Sequence, residues 1–68
     1  MALSARNVLK GKVVSVKKGQ VMAEVALEVA PGVEVVSVIT ASSADRLALV
    51  DGKEVEVVVK ATSVMINA

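Results

Sequence analysis

Alternating apolar and polar positions dominate the middle of the chain. From position 21 to position 29 every second residue is apolar, while Glu24 and Glu28 fall on the opposite face. A period of two residues over nine positions is typical of a β-strand with one buried face. The pattern therefore predicts a strand over residues 21–29.

Turn-forming residues divide the rest of the chain into further strands. Lys18-Gly19 ends a first strand over residues 8–17, and Pro31-Gly32 precedes a third strand over residues 33–40. After the turn at residues 51–52, valines alternate with Glu54, Glu56, Val58 and Lys60 in a fourth strand. Residues 64–66, after residues 61–63, are predicted as a short fifth strand.

The segment between the third and fourth strands has the pattern of a short helix. Residues 40–49 supply hydroxyl N-cap candidates, an acid that we place in the first turn (Asp45), and apolar residues further on. Five strands with one helix between the third and fourth are the order of an OB-type, Greek-key barrel. The chain is thus predicted to be all-β, with a single domain over residues 1–68.

Composition predicts self-association. Hydrophobic residues make up 54% of the 68-residue chain, 17 residues are valine, and both faces of the third strand are mostly apolar. So small a chain buries only about 60% of its unfolded surface, and without cysteine or histidine it lacks disulfides and the usual structural zinc sites. We expect apolar surface to be covered by other copies in a homo-oligomer.

Several classes of function and cellular location fit the composition of the chain poorly. No apolar run approaches the roughly 18 residues of a membrane span, and the secretory-signal pattern is missing, so we expect a cytoplasmic protein without a membrane partner. A net charge of +1 and no aromatic residue argue against a nucleic-acid partner. Histidine, cysteine and tyrosine are absent and no phosphate-loop motif occurs, so we do not expect this protein to be an enzyme.

Three short segments without acidic residues carry the candidate chemistry. They are Ser4-Ala5-Arg6-Asn7, residues 40–43 and Lys60-Ala61-Thr62-Ser63. One interpretation is that the hydroxyls are caps and turns and that the two cations of these segments, Arg6 and Lys60, are solvated. The other is that hydroxyls, main-chain N–H groups and the two cations converge on one small dianion.

The lack of acids bears on which anion such a site would prefer. Monohydrogen phosphate carries a proton and needs an acceptor, whereas sulfate, molybdate and tungstate are satisfied by donors alone. Carboxylates do not occur at calcium-loop spacing. We therefore expect an oxyanion held by hydrogen bonds and charge, with no metal coordinated directly by side chains.

The segments SARNVLKGKVVSVKKG, VITASSADRLAL and VVVKATSVMI resemble the molbindins, the Mop or molybdenum-pterin-binding proteins, over essentially the whole chain. The resemblance implies an OB-type barrel that assembles as a hexamer, a trimer of dimers, and binds molybdate or tungstate at subunit interfaces. It also implies a second class of site on the threefold axes, whose residues the sequence does not identify.

By the same resemblance, anion-binding positions can be carried over to this sequence. Asn7 would orient its loop. The binding positions are Ser4, Ala5, Arg6, Ser43, Lys60, Ala61 and Ser63.

The resemblance implies a protein that binds molybdate or tungstate for intracellular molybdenum storage and homeostasis. An alternative is a small interaction module that delivers molybdate to, or regulates, a protein partner. We expect no organic cofactor, because a pterin ring favours aromatic or extended apolar stacking surfaces and the chain has no aromatic residue.

Overall fold

A computed structural model describes residues 3–68, so the first two residues of the predicted domain lie outside it. The described chain forms four strands, one α-helix and one 3₁₀ turn. In chain order these are β1 (Asn7–Lys18), β2 (Met22–Ala30), β3 (Val33–Thr40), α1 (Ala41–Arg46), β4 (Glu54–Val59) and the 3₁₀ turn Ala61–Ser63. None of the described helices is long and apolar enough to cross a membrane.

The strands form one antiparallel sheet in the order β3-β2-β1-β4. Strand β1 is central: its first half pairs with β4, from Asn7 opposite Val59, and its second half pairs with β2, as far as Lys18 opposite Ala23. A bulge between Val13 and Ser15 lies where β1 changes from one partner to the other. Bulges bend and twist the strand that carries them, which suits a strand shared by two parts of a curved sheet.

The predicted alternation is confirmed within β2, but Val21, predicted as its first buried residue, lies before the strand and is 70% exposed. Ala23, Val25 and Leu27 are buried, while Glu24 and Glu28 are exposed. The core is built from the inner faces of β1, β2 and β4, with partly buried residues of β3 packed against it. Its buried members are Val13, Val25, Leu27 and Val57. Valine suits these positions because β-branched side chains pack well on a pleated surface.

Helix α1 begins where the hydroxyl pattern placed it, but the predicted first-turn acid is wrong. Thr40 is the N-cap, and its Oγ1 accepts a hydrogen bond from the backbone N–H of Ser43 at 3.1 Å. Asp45 lies beyond the first turn and forms an ion pair with Lys18 at the end of β1. The helix ends at Arg46, and Ala48 takes a left-handed backbone conformation with φ of 53°, so the apolar residues after Arg46 do not extend it.

The predicted fifth strand is not confirmed. Residues 64–66 follow the 3₁₀ turn, and no strand is assigned to them in the described chain. Met65 is 93% and Ile66 91% exposed, so these side chains make almost no packing contact with the rest of residues 3–68. A short segment becomes a strand only when a neighbour pairs with its backbone, and none does here. The described chain is a four-stranded sheet, not a closed five-stranded barrel.

Replacing Val25 with alanine should lower the free energy of unfolding by about 2 kcal/mol, because it removes buried methyl groups and leaves a cavity. Val25 is 1% exposed at the centre of the core. Val21→Ala is the matched control, since Val21 is 70% exposed just before β2. Denaturant unfolding at one protein concentration measures both variants, and equal effects would contradict this description of the core.

Candidate functional site

Two of the three acid-free segments lie together at one end of the sheet. Strands β1 and β4 are antiparallel, with Asn7 opposite Val59. The residues that precede β1 and those that follow β4 therefore extend from neighbouring positions at the same edge. We call this set the basic cluster: Ser4, Ala5, Arg6, Lys60, Ala61 and Ser63.

The basic cluster is open to solvent and rich in donors. Arg6 and Lys60 are exposed, and neither belongs to an ion pair within residues 3–68. The 3₁₀ turn is closed by hydrogen bonds from the N–H of Ser63 to the carbonyl of Lys60 (2.9 Å) and from the N–H of Val64 to the carbonyl of Ala61 (3.2 Å). The first N–H groups of such a turn have no acceptor within it. The cluster thus offers two cations, hydroxyls and backbone donors, and no carboxylate.

The third acid-free segment forms a hydroxyl cluster at the start of α1, made of Thr40, Ser42, Ser43 and Arg46. The Thr40 hydroxyl donates a hydrogen bond to Ser43 Oγ at 2.7 Å, and Arg46 Nη2 donates to the same Oγ at 3.3 Å. Thr40 Oγ1 and Ser42 Oγ are 3.3 Å apart. Ser43 is half-buried. Its hydroxyl therefore accepts two hydrogen bonds and keeps its own proton available to donate.

Three residues of the hydroxyl cluster, Thr40, Ser42 and Arg46, are not among the predicted binding positions. The hydroxyls of Thr40 and Ser42 are predicted only as possible caps, and no role is predicted for Arg46. The signal for Arg46 was its spacing, since a residue three positions after Ser43 on a helix lies on the same face. The geometry adds this guanidinium to a cluster that the sequence described only by its hydroxyls.

The basic cluster and the hydroxyl cluster lie at opposite ends of β1. Arg6 directly precedes its first residue, whereas Lys18 at its other end pairs with Asp45 of α1. The N–H of Ala41 also donates a hydrogen bond of 2.7 Å to the carbonyl of Val21, and this bond fixes the start of the helix beside β2. The twelve residues of β1 lie between the clusters, roughly 40 Å measured along a strand that is bulged between Val13 and Ser15. A single chain thus places Arg6 and Lys60 at neighbouring positions, next to the paired Asn7 and Val59, and leaves Ser43 at the other end of β1.

The larger surface groove is unsuited to a dianion. It has a volume of about 740 Å³ and lies over the middle of β1 and the neighbouring parts of β2 and β4. Lys10 and Lys12 line it together with three carboxylates, those of Glu28, Glu54 and Glu56. Lys10 lies opposite Glu56, and Lys12 lies between Glu28 and Glu54. The carboxylates already balance the lysines and would repel an anion.

Comparison with known proteins identifies the family. Residues 3–66 match the TOBE domain family. Over all 68 residues, the full length of both chains, this chain is 54% identical to molybdenum-pterin-binding protein 3 of Clostridium pasteurianum. The chain belongs to the Mop family of TOBE domains. The resemblance noted in the sequence is thereby confirmed.

Solved structures of Mop proteins have the same fold. MopII from C. pasteurianum, in an apo form, is similar with a TM-score of 0.90 and 52% identity, over 98% of this chain and 100% of that one. A molybdate-binding protein from Sporomusa ovata is similar with a TM-score of 0.93 and 38% identity, and each chain is fully covered. The four-stranded sheet with one short helix is therefore a Mop fold.

Proposed function

We propose that this protein binds molybdate without catalysing a reaction, at contacts between copies of a homo-oligomer. The observation that carries the proposal is the separation of two acid-free donor clusters at opposite ends of β1. Each cluster alone is half of a site for a dianion. Two copies of the chain can place the basic cluster of one beside the hydroxyl cluster of the other.

The chemistry of the clusters suits molybdate or tungstate. Arg6 and Lys60 supply two positive charges for a dianion, and the hydroxyls of Ser4 and Ser43 supply donors. Ala5 and Ala61 can contribute only backbone N–H groups, and Ser63 adds a hydroxyl beside them. Hydrogen bonds to a charged acceptor are about twice as strong as neutral ones, and neither cluster contains a carboxylate that would accept the proton of monohydrogen phosphate.

The similar proteins support this ligand class. The Clostridium relative is named for binding molybdenum and pterin, and the Sporomusa protein for binding molybdate. We propose the free oxyanion and no organic cofactor, because the chain has no aromatic side chain on which a pterin ring would stack. The assembly we propose is a hexamer, a trimer of dimers, that stores molybdenum in the cytoplasm.

Molybdate should raise the thermal midpoint in a concentration-dependent way. A ligand that binds only the native state stabilises it by about 2.7 kcal/mol at 100 times its Kd, which corresponds to roughly 10–20 °C for a domain of this size. Tungstate should act similarly, and phosphate should give hardly any shift. Thermal unfolding followed with each anion, together with isothermal titration on protein of measured mass, provides the test. No shift with molybdate, or an equal shift with phosphate, would refute the proposal.

A further inference from the structure

The hydrogen bonds of the hydroxyl cluster run in one direction. The Thr40 hydroxyl gives its only proton to Ser43 Oγ at 2.7 Å. Thr40 Oγ1 accepts from the backbone N–H of Ser43 at 3.1 Å, and because its own proton is already used, the 3.3 Å bond between it and Ser42 Oγ is donated by Ser42. A hydroxyl has one proton to donate and two lone pairs that accept. All three positions of the Thr40 hydroxyl are therefore occupied.

The Ser43 hydroxyl differs from that of Thr40 in one respect, which is that its proton is free. One lone pair of Ser43 Oγ accepts from Thr40, and the other accepts from Arg46 Nη2 at 3.3 Å. Within residues 3–68 no acceptor takes the proton of Ser43 Oγ. Ser43 can therefore donate one hydrogen bond to a bound molecule and can accept none from it.

Arg46 is the residue that fills the second lone pair of Ser43. Its guanidinium has five N–H donors and no acceptor, and it does not lose its charge in proteins. Arg46 is exposed and forms no ion pair within residues 3–68. Without this side chain, only the Thr40 hydroxyl would donate to Ser43, and one acceptor position on Ser43 Oγ would be open.

An open acceptor position matters because the candidate anions differ by one proton. Molybdate, tungstate, sulfate and selenate carry none at neutral pH, whereas the dianions of phosphate and arsenate carry one O–H that needs an acceptor. The lack of carboxylates does not exclude these protonated anions, since a hydroxyl with an open lone pair accepts such a proton equally well. A donor that is left unpaired in a site away from water weakens binding roughly tenfold or more.

We propose that Arg46 is a positioning residue that sets the specificity of the molybdate site. It fills the second lone pair of Ser43 Oγ, so this hydroxyl acts only as a donor and the site rejects oxyanions that carry a proton. The inference rests on the proposed function, because Ser43 is one of the proposed binding positions. It adds the residue and the hydrogen bond that separate two classes of dianion.

Arsenate and selenate are the matched probes. They are close in size and are dianions at mildly alkaline pH, but only arsenate carries a proton. Isothermal titration of molybdate in the presence of each anion gives its affinity by competition. Arg46→Met should raise the ratio of arsenate affinity to selenate affinity at least tenfold, because arsenate gains an acceptor on Ser43. The loss of the Arg46 charge weakens both dianions by the same factor and cancels in the ratio.

Three further variants separate the hydrogen bond from other effects. Arg46→Lys keeps a charged donor without an acceptor and should keep the ratio of the natural protein. Lys17→Met removes a charge from the same end of β1, where Lys17 lies opposite Glu24, and should leave the ratio unchanged. Ser42 has lone pairs to spare, but it is exposed and two hydrogen bonds away from the free proton of Ser43, so Ser42→Ala should also have no effect on the ratio.

The outcomes distinguish this inference from the proposed function. Arsenate and selenate affinities that change by the same factor in Arg46→Met would show that Arg46 contributes only charge, and would overturn the inference while molybdate binding stands. Arsenate that does not displace molybdate from Arg46→Met, at concentrations where selenate does, would also overturn it. A natural protein that binds no molybdate would overturn both.

Discussion

Replacing Arg6 with alanine should weaken molybdate binding roughly 100-fold. Arg6 lies at the start of β1 beside the end of β4 and has no carboxylate partner within residues 3–68, so its charge is available to an anion. Removing one charge-assisted hydrogen-bonding group costs about 1.5–3 kcal/mol, and more where a buried dianion loses half of its compensating charge. Each 1.4 kcal/mol is a tenfold change in Kd. Isothermal titration of molybdate measures the effect.

Two further variants distinguish the effect of the position of the positive charge from the effect of the net charge of the protein. Lys12→Ala removes the same charge from the middle of β1, where carboxylates lie opposite on both neighbouring strands, and it should bind molybdate as the natural protein does. Arg6→Lys keeps the charge but loses the planar fork of donors, so its affinity for molybdate should fall between those of Arg6→Ala and the natural protein. An unchanged isotherm for Arg6→Ala would remove Arg6 from the site.

Much of the fold followed from local patterns because local chemistry decides it. The alternation in β2 determines which face is buried, the Pro31-Gly32 turn allows the positive φ of 74° at Gly32, and the Thr40 hydroxyl caps the helix. Asp45 was misplaced because the cap position determines which residues form the first turn. A one-dimensional pattern gave several hydroxyl candidates for that cap.

The fifth strand and the site exceed what local patterns reveal. Residues 64–66 have strand composition, but a strand needs a neighbour, and the described chain supplies none. Ser43 and Arg6 are likewise both donors, yet β1 holds them at opposite ends. Whether they act together depends on how copies of the chain pack, which no periodicity within one chain encodes.

A mixture of two inactive variants should recover molybdate binding if each site is shared between copies. Arg6→Ala disables the basic cluster, and Ser43→Asp adds a repulsive carboxylate to the hydroxyl cluster without disturbing the helix start, where an acid is favourable. Each variant alone should bind molybdate weakly.

When the two variants are unfolded and refolded together in equal amounts, a shared site is intact only when the basic cluster comes from the Ser43→Asp chain and the hydroxyl cluster from the Arg6→Ala chain. Random pairing in a symmetric oligomer gives about a quarter of such sites. Titration should therefore show about a quarter of the natural stoichiometry at the natural affinity. Mixing the two folded variants without unfolding them is the control, and it should show no recovered binding sites at first. If both clusters of a site came from one chain, every site in the mixture would carry one of the two substitutions. The absence of recovery after co-refolding would therefore contradict a site shared between copies and would mean that Ser43 and Arg6 of the same chain act together.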